Sequence, residues 1–318
     1  MAITFREFLN TDPPHLAEIW RRQKRFHGLA DRISHQMIGD LILAKPYFDR
    51  QSLILAFDDQ LPVGFVLAGY CPNEDMSDWD SRCGVISQIR VVDHQDSDQI
   101  ADELLRRGES FLASQGANNL FVGGRFPFAP YFQGIYGGSR VPGVLIDDAI
   151  MLGAVSRAGY RSIGDVAIFQ RRLAGFRTTV DRQLMSVRRQ FQISADTDPP
   201  FANWWEAITL GNATRTRFEL EDRKSGTLAA SVVFWDIQPL ATFWGVNAMG
   251  MYDLFVAQEH RRCGLATFLV GEALRHLAKE GVGLVEAQSL MDDEAACGVF
   301  TKHGFEIVGK GGCYSKAV

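Results

Sequence analysis

Residues 256–266, Val-Ala-Gln-Glu-His-Arg-Arg-Cys-Gly-Leu-Ala, join two stretches of different periodicity. Before them, residues 249–255 form an apolar run of strand character. After them, Leu265, Phe268, Leu269, Ala273 and Leu277 recur at helical spacing. A strand therefore turns through an Arg- and Gly-bearing loop straight into a helix, a unit of α/β architecture. The first amides of a helix lack internal partners and carry partial positive charge. Gly264 lets backbone approach a ligand closely, and Arg261 and Arg262 add charge. Together these features suit a phosphate or pyrophosphate.

The spacing Arg261-x-x-Gly264-x-Ala266 resembles the acetyl-CoA signature of the GNAT superfamily of N-acetyltransferases. Two further landmarks stand in the family's order. Residues 283–288 read as a strand after the helix. A short helix then ends in Phe300-Thr-Lys-His-Gly-Phe305, similar to the family's Tyr-x-x-x-Gly-Phe. The resemblance implies two GNAT units in tandem, each a twisted mixed sheet flanked by helices, because 318 residues are too many for one.

An internal repeat supports the duplication. Thr11, Asp12, Pro13 and Pro14 recur as Thr197, Asp198, Pro199 and Pro200, each set read as a helix start. Residues 91–101 align without a gap on residues 256–266. Gly159-Tyr160 then matches Gly304-Phe305. The boundary is placed between Leu173 and Arg189, giving a degenerate domain at 1–173 and an acetyl-CoA-binding domain at 174–318. The charged segment between them is a strand or a helix. In the first copy Asp96 stands for Arg261 and Gln99 for Gly264, beside Asp93 and Asp98. Carboxylates suit a helix N-terminus that binds nothing. They repel a pyrophosphate, by up to about 4 kcal/mol per charge pair at ~4 Å and an effective dielectric of ~20.

For the second copy the resemblance implies that Phe255, Val256, Arg261, Arg262, Cys263, Gly264, Leu265, Ala266, Asp293 and Phe300 contact acetyl-CoA, the acyl donor. Amides of residues 254–256 would face the thioester carbonyl. Direct transfer requires a neutral amine, so a base must take its proton. Asp253 and Glu286, on the strands flanking the family's cleft, are the candidates; each is otherwise a hydrogen-bonded structural carboxylate. The family's acid is the Tyr replaced here by Phe300, which donates nothing. Tyr314, Tyr252 and Cys297 are alternatives, and the thiolate can also leave unaided. His303 reads as a helix C-terminal residue complementing the dipole, and His260 as packing. Trp204, Trp205, Trp235 and Trp244 wall an acceptor pocket or belong to the core. The aromatic segment 126–138 fills the first copy's cleft or covers the second's.

The leading function is an N-acetyltransferase acting on a small-molecule or peptide amine, and the alternative is a non-catalytic acyl-CoA-binding or regulatory protein. A hydrophobic content of 46% and charged content of 22% suit a soluble globular chain. The net charge of −5 argues against general nucleic-acid binding. No apolar run approaches the roughly 18 residues of a membrane helix, and the N-terminus is charged too early for a signal-peptide core. Five scattered cysteines without Cys-x-x-Cys suggest neither a disulfide framework nor a metal site, and a cytoplasmic location.

Overall fold

The computed structural model describes residues 3–178, 182–211 and 213–317. The first half contains β1 (Ile3–Glu7), α1 (Pro13–Arg21), α2 (His35–Ile38), β2 (Leu53–Asp58), β3 (Leu61–Pro72), β4 (Trp79–Val91), α3 (Ser97–Ser114), β5 (Asn119–Val122), β6 (Val144–Leu145), α4 (Ala149–Arg157) and β7 (Arg161–Arg172). The second contains α5 (Arg182–Gln190), β8 (Phe191–Thr197), α6 (Trp204–Leu210), β9 (Arg215–Asp222), β10 (Leu228–Asp236), α7 (Gln238–Trp244), β11 (Ala248–Val256), α8 (Leu265–Lys279), β12 (Leu284–Leu290), α9 (Glu294–Lys302) and β13 (Glu306–Ala317).

The chain forms two compact units. One contains Met1–Val166, Phe201–Gly211 and Gly309–Val318; the other contains Ala167–Pro200 and Asn212–Val308. These units do not coincide with a division at residue 173. Helix α6 and the end of β13 belong to the first unit although they lie late in the chain. The segment expected to link the halves holds helix α5, and residues 179–181 of that segment lie outside the described residues.

In the first unit β1 to β4 pair antiparallel in chain order, β5 joins β4 in parallel, and the end of β13 runs antiparallel to β5. Helix α3 buries Ile100, Leu104, Leu105, Phe111 and Leu112, a stripe at helical spacing. In the second unit β8 to β11 are antiparallel neighbours and β12 joins β11 in parallel. Leu265, Phe268, Leu269, Ala273, Leu274 and Leu277 of α8 enter a core with Val232, Phe234, Met251, Val285 and Ala287.

The repeat is exact at its centre. The parallel ladder of the first unit runs from Cys83↔Asn119 to Ile86↔Val122, and that of the second from Ala248↔Leu284 to Met251↔Ala287. These are aligned positions. Helices α4 and α9 each have 9 residues, and each is capped by an aspartate. Asp148 accepts from Met151 N at 3.3 Å, and Asp293 from Ala296 N at 3.0 Å. The repeated Thr-Asp-Pro-Pro is less faithful. Pro13 opens α1, but Asp12 spends its carboxylate on Arg6, at 2.6 and 2.8 Å, rather than on a cap. In the second copy the expected helix start is corrected. Asp198 sits in a turn at φ 53°, and α6 begins later, at Trp204, capped by Asn203.

Beyond its short ladder, β4 in the first unit carries Arg90, which is aligned with Phe255. Arg90 is 1% exposed and ion-pairs with Asp148, the partner of Asp293 in the repeat. Tyr136 donates its hydroxyl to the same carboxylate at 2.9 Å, and its ring lies 5.2 Å from the guanidinium carbon. The aromatic segment is buried within this unit. Phe132 stacks on Trp20 at 5.6 Å, and Tyr47 donates to Pro130 O at 2.5 Å. Trp205 of α6 is fully buried and donates Nε1 to Pro127 O at 2.7 Å. Lys45 closes the C-terminal end of α6 by donating to Ile208 O at 2.5 Å and Thr209 O at 3.2 Å.

Two outcomes are expected. Arg90→Met strands the Asp148 carboxylate and should cost about 3–5 kcal/mol in urea unfolding, with part regained on adding Asp148→Asn. Burial pulls the Lys45 ammonium down to about 8, against the nearby Asp40. The unfolded chain therefore binds the extra proton between about pH 8 and 10.5, and stability due to this group rises with pH across that window. Melting curves of Lys45→Met should lack that rise relative to the parent.

Candidate functional site

In the second unit, no pairing of β11 with β12 follows Met251↔Ala287 among the described residues. On its other edge β11 carries a bulge. Tyr252 pairs with Val233 and Phe255 with Ser231, so Asp253 and Leu254 together oppose Val232. Asp253 adopts φ 53°, a left-handed conformation that Asp tolerates better than most residues. The kink interrupts simple alternation, and both Asp253 and Phe255 are exposed.

The chain then makes a 3-10 turn at Gln258–His260 and enters α8 through Arg262 at φ 60° and Gly264 at φ 84°. The first helical bond is Phe268 N to Gly264 O at 2.9 Å. Gly264 supplies no side-chain cap, and the first turn holds no acidic residue. The amides of Leu265, Ala266 and Thr267 precede that first bond, where helical donors point outward. Arg261 donates Nε to Val256 O at 3.2 Å, tying the loop to the strand end.

These elements enclose a groove of about 660 Å³. One wall is Leu254, Phe255 and Val256, and another is His260, Arg261, Arg262 and Gly264 with Leu265, Ala266 and Thr267. Asp293, Ala295, Ala296 and Lys302 of the α9 region complete it. Two arginines and a lysine thus line the groove with one carboxylate, and that carboxylate is engaged as a helix cap. The shape and charge suit an elongated anion laid against the start of α8.

The aligned helix start in the first unit is acidic instead. Asp96 precedes α3, and Asp98 lies in the first turn. Arg157 clamps Asp98 at 3.2 Å and Asp102 at 2.8 Å. His94 Nδ1 accepts from Asp96 N at 3.0 Å.

Of the residues singled out from sequence, Phe255, Val256, Arg261, Arg262, Gly264, Leu265, Ala266 and Asp293 line the groove. Cys263 is exposed on the loop, its thiol 3.4 Å from Arg261 O, and is absent from the lining. Phe300 is also absent from it. Its ring is 3% exposed and packs at 5.1 Å from Phe169 and 5.6 Å from Phe305. Asp253 is next to the lining residue Leu254. Glu286 is fully buried opposite Gly250, its oxygens accepting from Gln170 Nε2 at 3.0 Å and Gln288 Nε2 at 3.3 Å. Tyr314 lies in the first unit, paired with Val122, its hydroxyl raised above the ordinary tyrosine value chiefly by burial. Tyr252 is buried, and the Cys297 thiol is 3.6 Å from Leu290 O.

Sequence reasoning missed Thr267, Ala295, Ala296 and Lys302. Lys302 was accessible in principle, since it shares a helical face with Ala295 two turns earlier. His260 both packs, at 5.4 Å from the Phe191 ring, and lines the groove. His303 ends α9 with its ring buried, and its Nε2 lies 2.8 Å from Thr267 O. Burial first, then the nearby Arg171 and Lys302, hold its pKa below the usual histidine value. Among the described residues no cluster of His, Cys, Asp and Glu is arranged to hold a metal ion. No described helix is long and apolar enough to cross a membrane.

Residues 182–305 match the acetyltransferase (GNAT) family. A search of curated proteins found no match. Among solved structures, the chain is similar to a GCN5-related glucosamine N-acetyltransferase region of a fungal multi-domain GH3 beta-N-acetylglucosaminidase. Identity there is 16% and the TM-score 0.72, over 99% of this chain and 38% of that one. The chain thus spans well under half of that protein. It is also similar to a tandem GNAT protein from the clavulanic acid biosynthesis pathway, at 13% identity and TM-score 0.67 over 99% and 98% of the two chains. A GCN5-related N-acetyltransferase from Sphaerobacter thermophilus gives 13% and 0.64 over 99% and 95%. At such identities the likeness is one of fold. Residues 182–305 are a GNAT-family domain, and the chain as a whole has the tandem GNAT fold.

Proposed function

We propose that the second unit binds acetyl-CoA and transfers its acetyl group directly to the amine of a small molecule or peptide, while the first unit binds no acyl-CoA. The observation that carries this reading is the uncapped start of α8, with Arg261, Arg262 and Lys302 on the same groove. The pyrophosphate would meet the amides of Leu265, Ala266 and Thr267, and the pantetheine arm would run along Leu254 to Val256. The kinked strand would turn a backbone amide toward the thioester oxygen as it gains charge. The ammonium gives one proton to a base, the neutral amine attacks the carbonyl carbon, and the second proton on the nitrogen passes to solvent or to the departing sulfur as the amide forms. The carbon–sulfur bond then breaks, and the thiolate leaves.

Asp253 is the base we favour. It is exposed on the bulge beside the groove lining, whereas Glu286 is buried with both oxygens held by glutamine amides. Phe300 supplies no proton, so on this reading the thiolate departs without a dedicated acid. The same feature supports the second reading, an acyl-CoA-binding protein that does not turn over.

Titration calorimetry with CoA should give one site per chain, and Gly264→Asp should abolish binding while leaving thermal melts near the parent. The substitution places a carboxylate among the amides that the anion must reach, a penalty of several kcal/mol or about a thousandfold in Kd. Two sites, or a Gly264→Asp variant within tenfold of the parent, overturns the assignment. Acetyl-CoA turnover with a panel of primary amines separates transferase from binding protein. In an active preparation Asp253→Asn, which keeps the left-handed backbone accessible, should lower kcat by roughly 10²–10⁴ with CoA affinity unchanged. An unchanged rate would move the base to Glu286.

A further inference from the structure

The start of α8 is held from behind by a side chain that the chemistry above does not use. His303 Nε2 lies 2.8 Å from Thr267 O, and a carbonyl can only accept, so Nε2 carries the proton. Thr267 lies in the first turn of α8 and lines the groove. The fit is close, since a Cβ at Gly271, one turn further along α8, would meet His303 Cε1 at 2.9 Å. The opposite end of the bond is equally fixed. The backbone N–H of His303 caps α9 through Val299 O and Phe300 O, and Arg171 Nη1 donates to Gly304 O at 3.2 Å. The residue before it, Lys302, faces the groove. One imidazole therefore links the amide-bearing wall to the wall that carries Asp293 and Lys302.

We propose that His303 is a positioning residue that sets the first turn of α8 against α9, and so holds the anion-binding amides at their working distance from the opposite wall. The inference rests on the reading of this groove as the CoA site. His303 touches no substrate; it acts through the Thr267 carbonyl.

The test compares the parent with His303→Leu, which keeps bulk and loses the donor, and His303→Gln, whose amide nitrogen replaces Nε2. The first readout needs no ligand. Amide hydrogen exchange at Phe268, the first bonded amide of α8, and in the helical turn that follows it should quicken on the order of tenfold in the leucine variant and stay near the parent in the glutamine variant. The second readout is the calorimetric Kd for CoA, which should rise roughly tenfold in the leucine variant and recover in the glutamine variant. A leucine variant that matches the parent in exchange overturns the proposal, as does a folded glutamine variant as impaired as the leucine one. A parent that binds no CoA removes the functional reading of the groove, and the exchange comparison then decides the positioning role alone. If the leucine variant melts below the assay temperature, His303→Asn, whose amide falls short of Thr267 O, takes its place under the same criteria.

Discussion

Two parallel strands that pair for four residues and then stop are the constraint on which both units are built. Backbone donors and acceptors beyond the last pair must still be satisfied, because burying them unpaired costs more than the pairing would have gained. Each copy meets that demand differently. The first closes the space with chain of its own: the aromatic segment, the Arg90–Asp148 pair and the Tyr136 hydroxyl. The second leaves the space open as a groove beside a helix start that lacks both cap and carboxylate.

The same two aligned positions carry this divergence. Arg90 and Asp148 in one copy correspond to Phe255 and Asp293 in the other. A charge pair spans the first, whereas an exposed ring and a helix cap flank the second. A buried ion pair stabilises a fold little against an apolar alternative, yet removing one partner is costly. Once established, such a plug resists reversal one residue at a time. The start of α3 adds a second difference, carrying Asp96 and Asp98 with Arg157 on Asp98 and Asp102 where the start of α8 has no acidic residue.

Much of this was legible in the chain because the relevant signals are local. A glycine between strand and helix, the arginines beside it and a stripe of apolar residues at helical spacing all act within a few residues. They mark the loop and helix start, and the resemblance to a known family supplied the remaining expected residues from Phe255 to Ala266, all of which line the groove, Cys263 excepted. The long-range features were not legible. Phe300 occupies the position of a family tyrosine, but its ring faces Phe169 and Phe305, partners that only the folded core defines. Asp198 repeats Asp12 in sequence, yet its neighbours hold it in a turn, where it accepts from Arg215 N. The bulge that turns Asp253 outward depends on the register with β10, which no periodicity within β11 reveals.

The grouping of residues 201–211 and 309–318 with the first unit carries an evolutionary consequence. A duplicated gene whose copies fold independently can lose either one, or separate them into two proteins. Here no single break in the coding sequence divides the chain into two complete folds, since each half as written lacks or carries surplus pieces of a unit. The first unit therefore cannot be cut away whole by a single truncation, whichever of the two units binds a ligand.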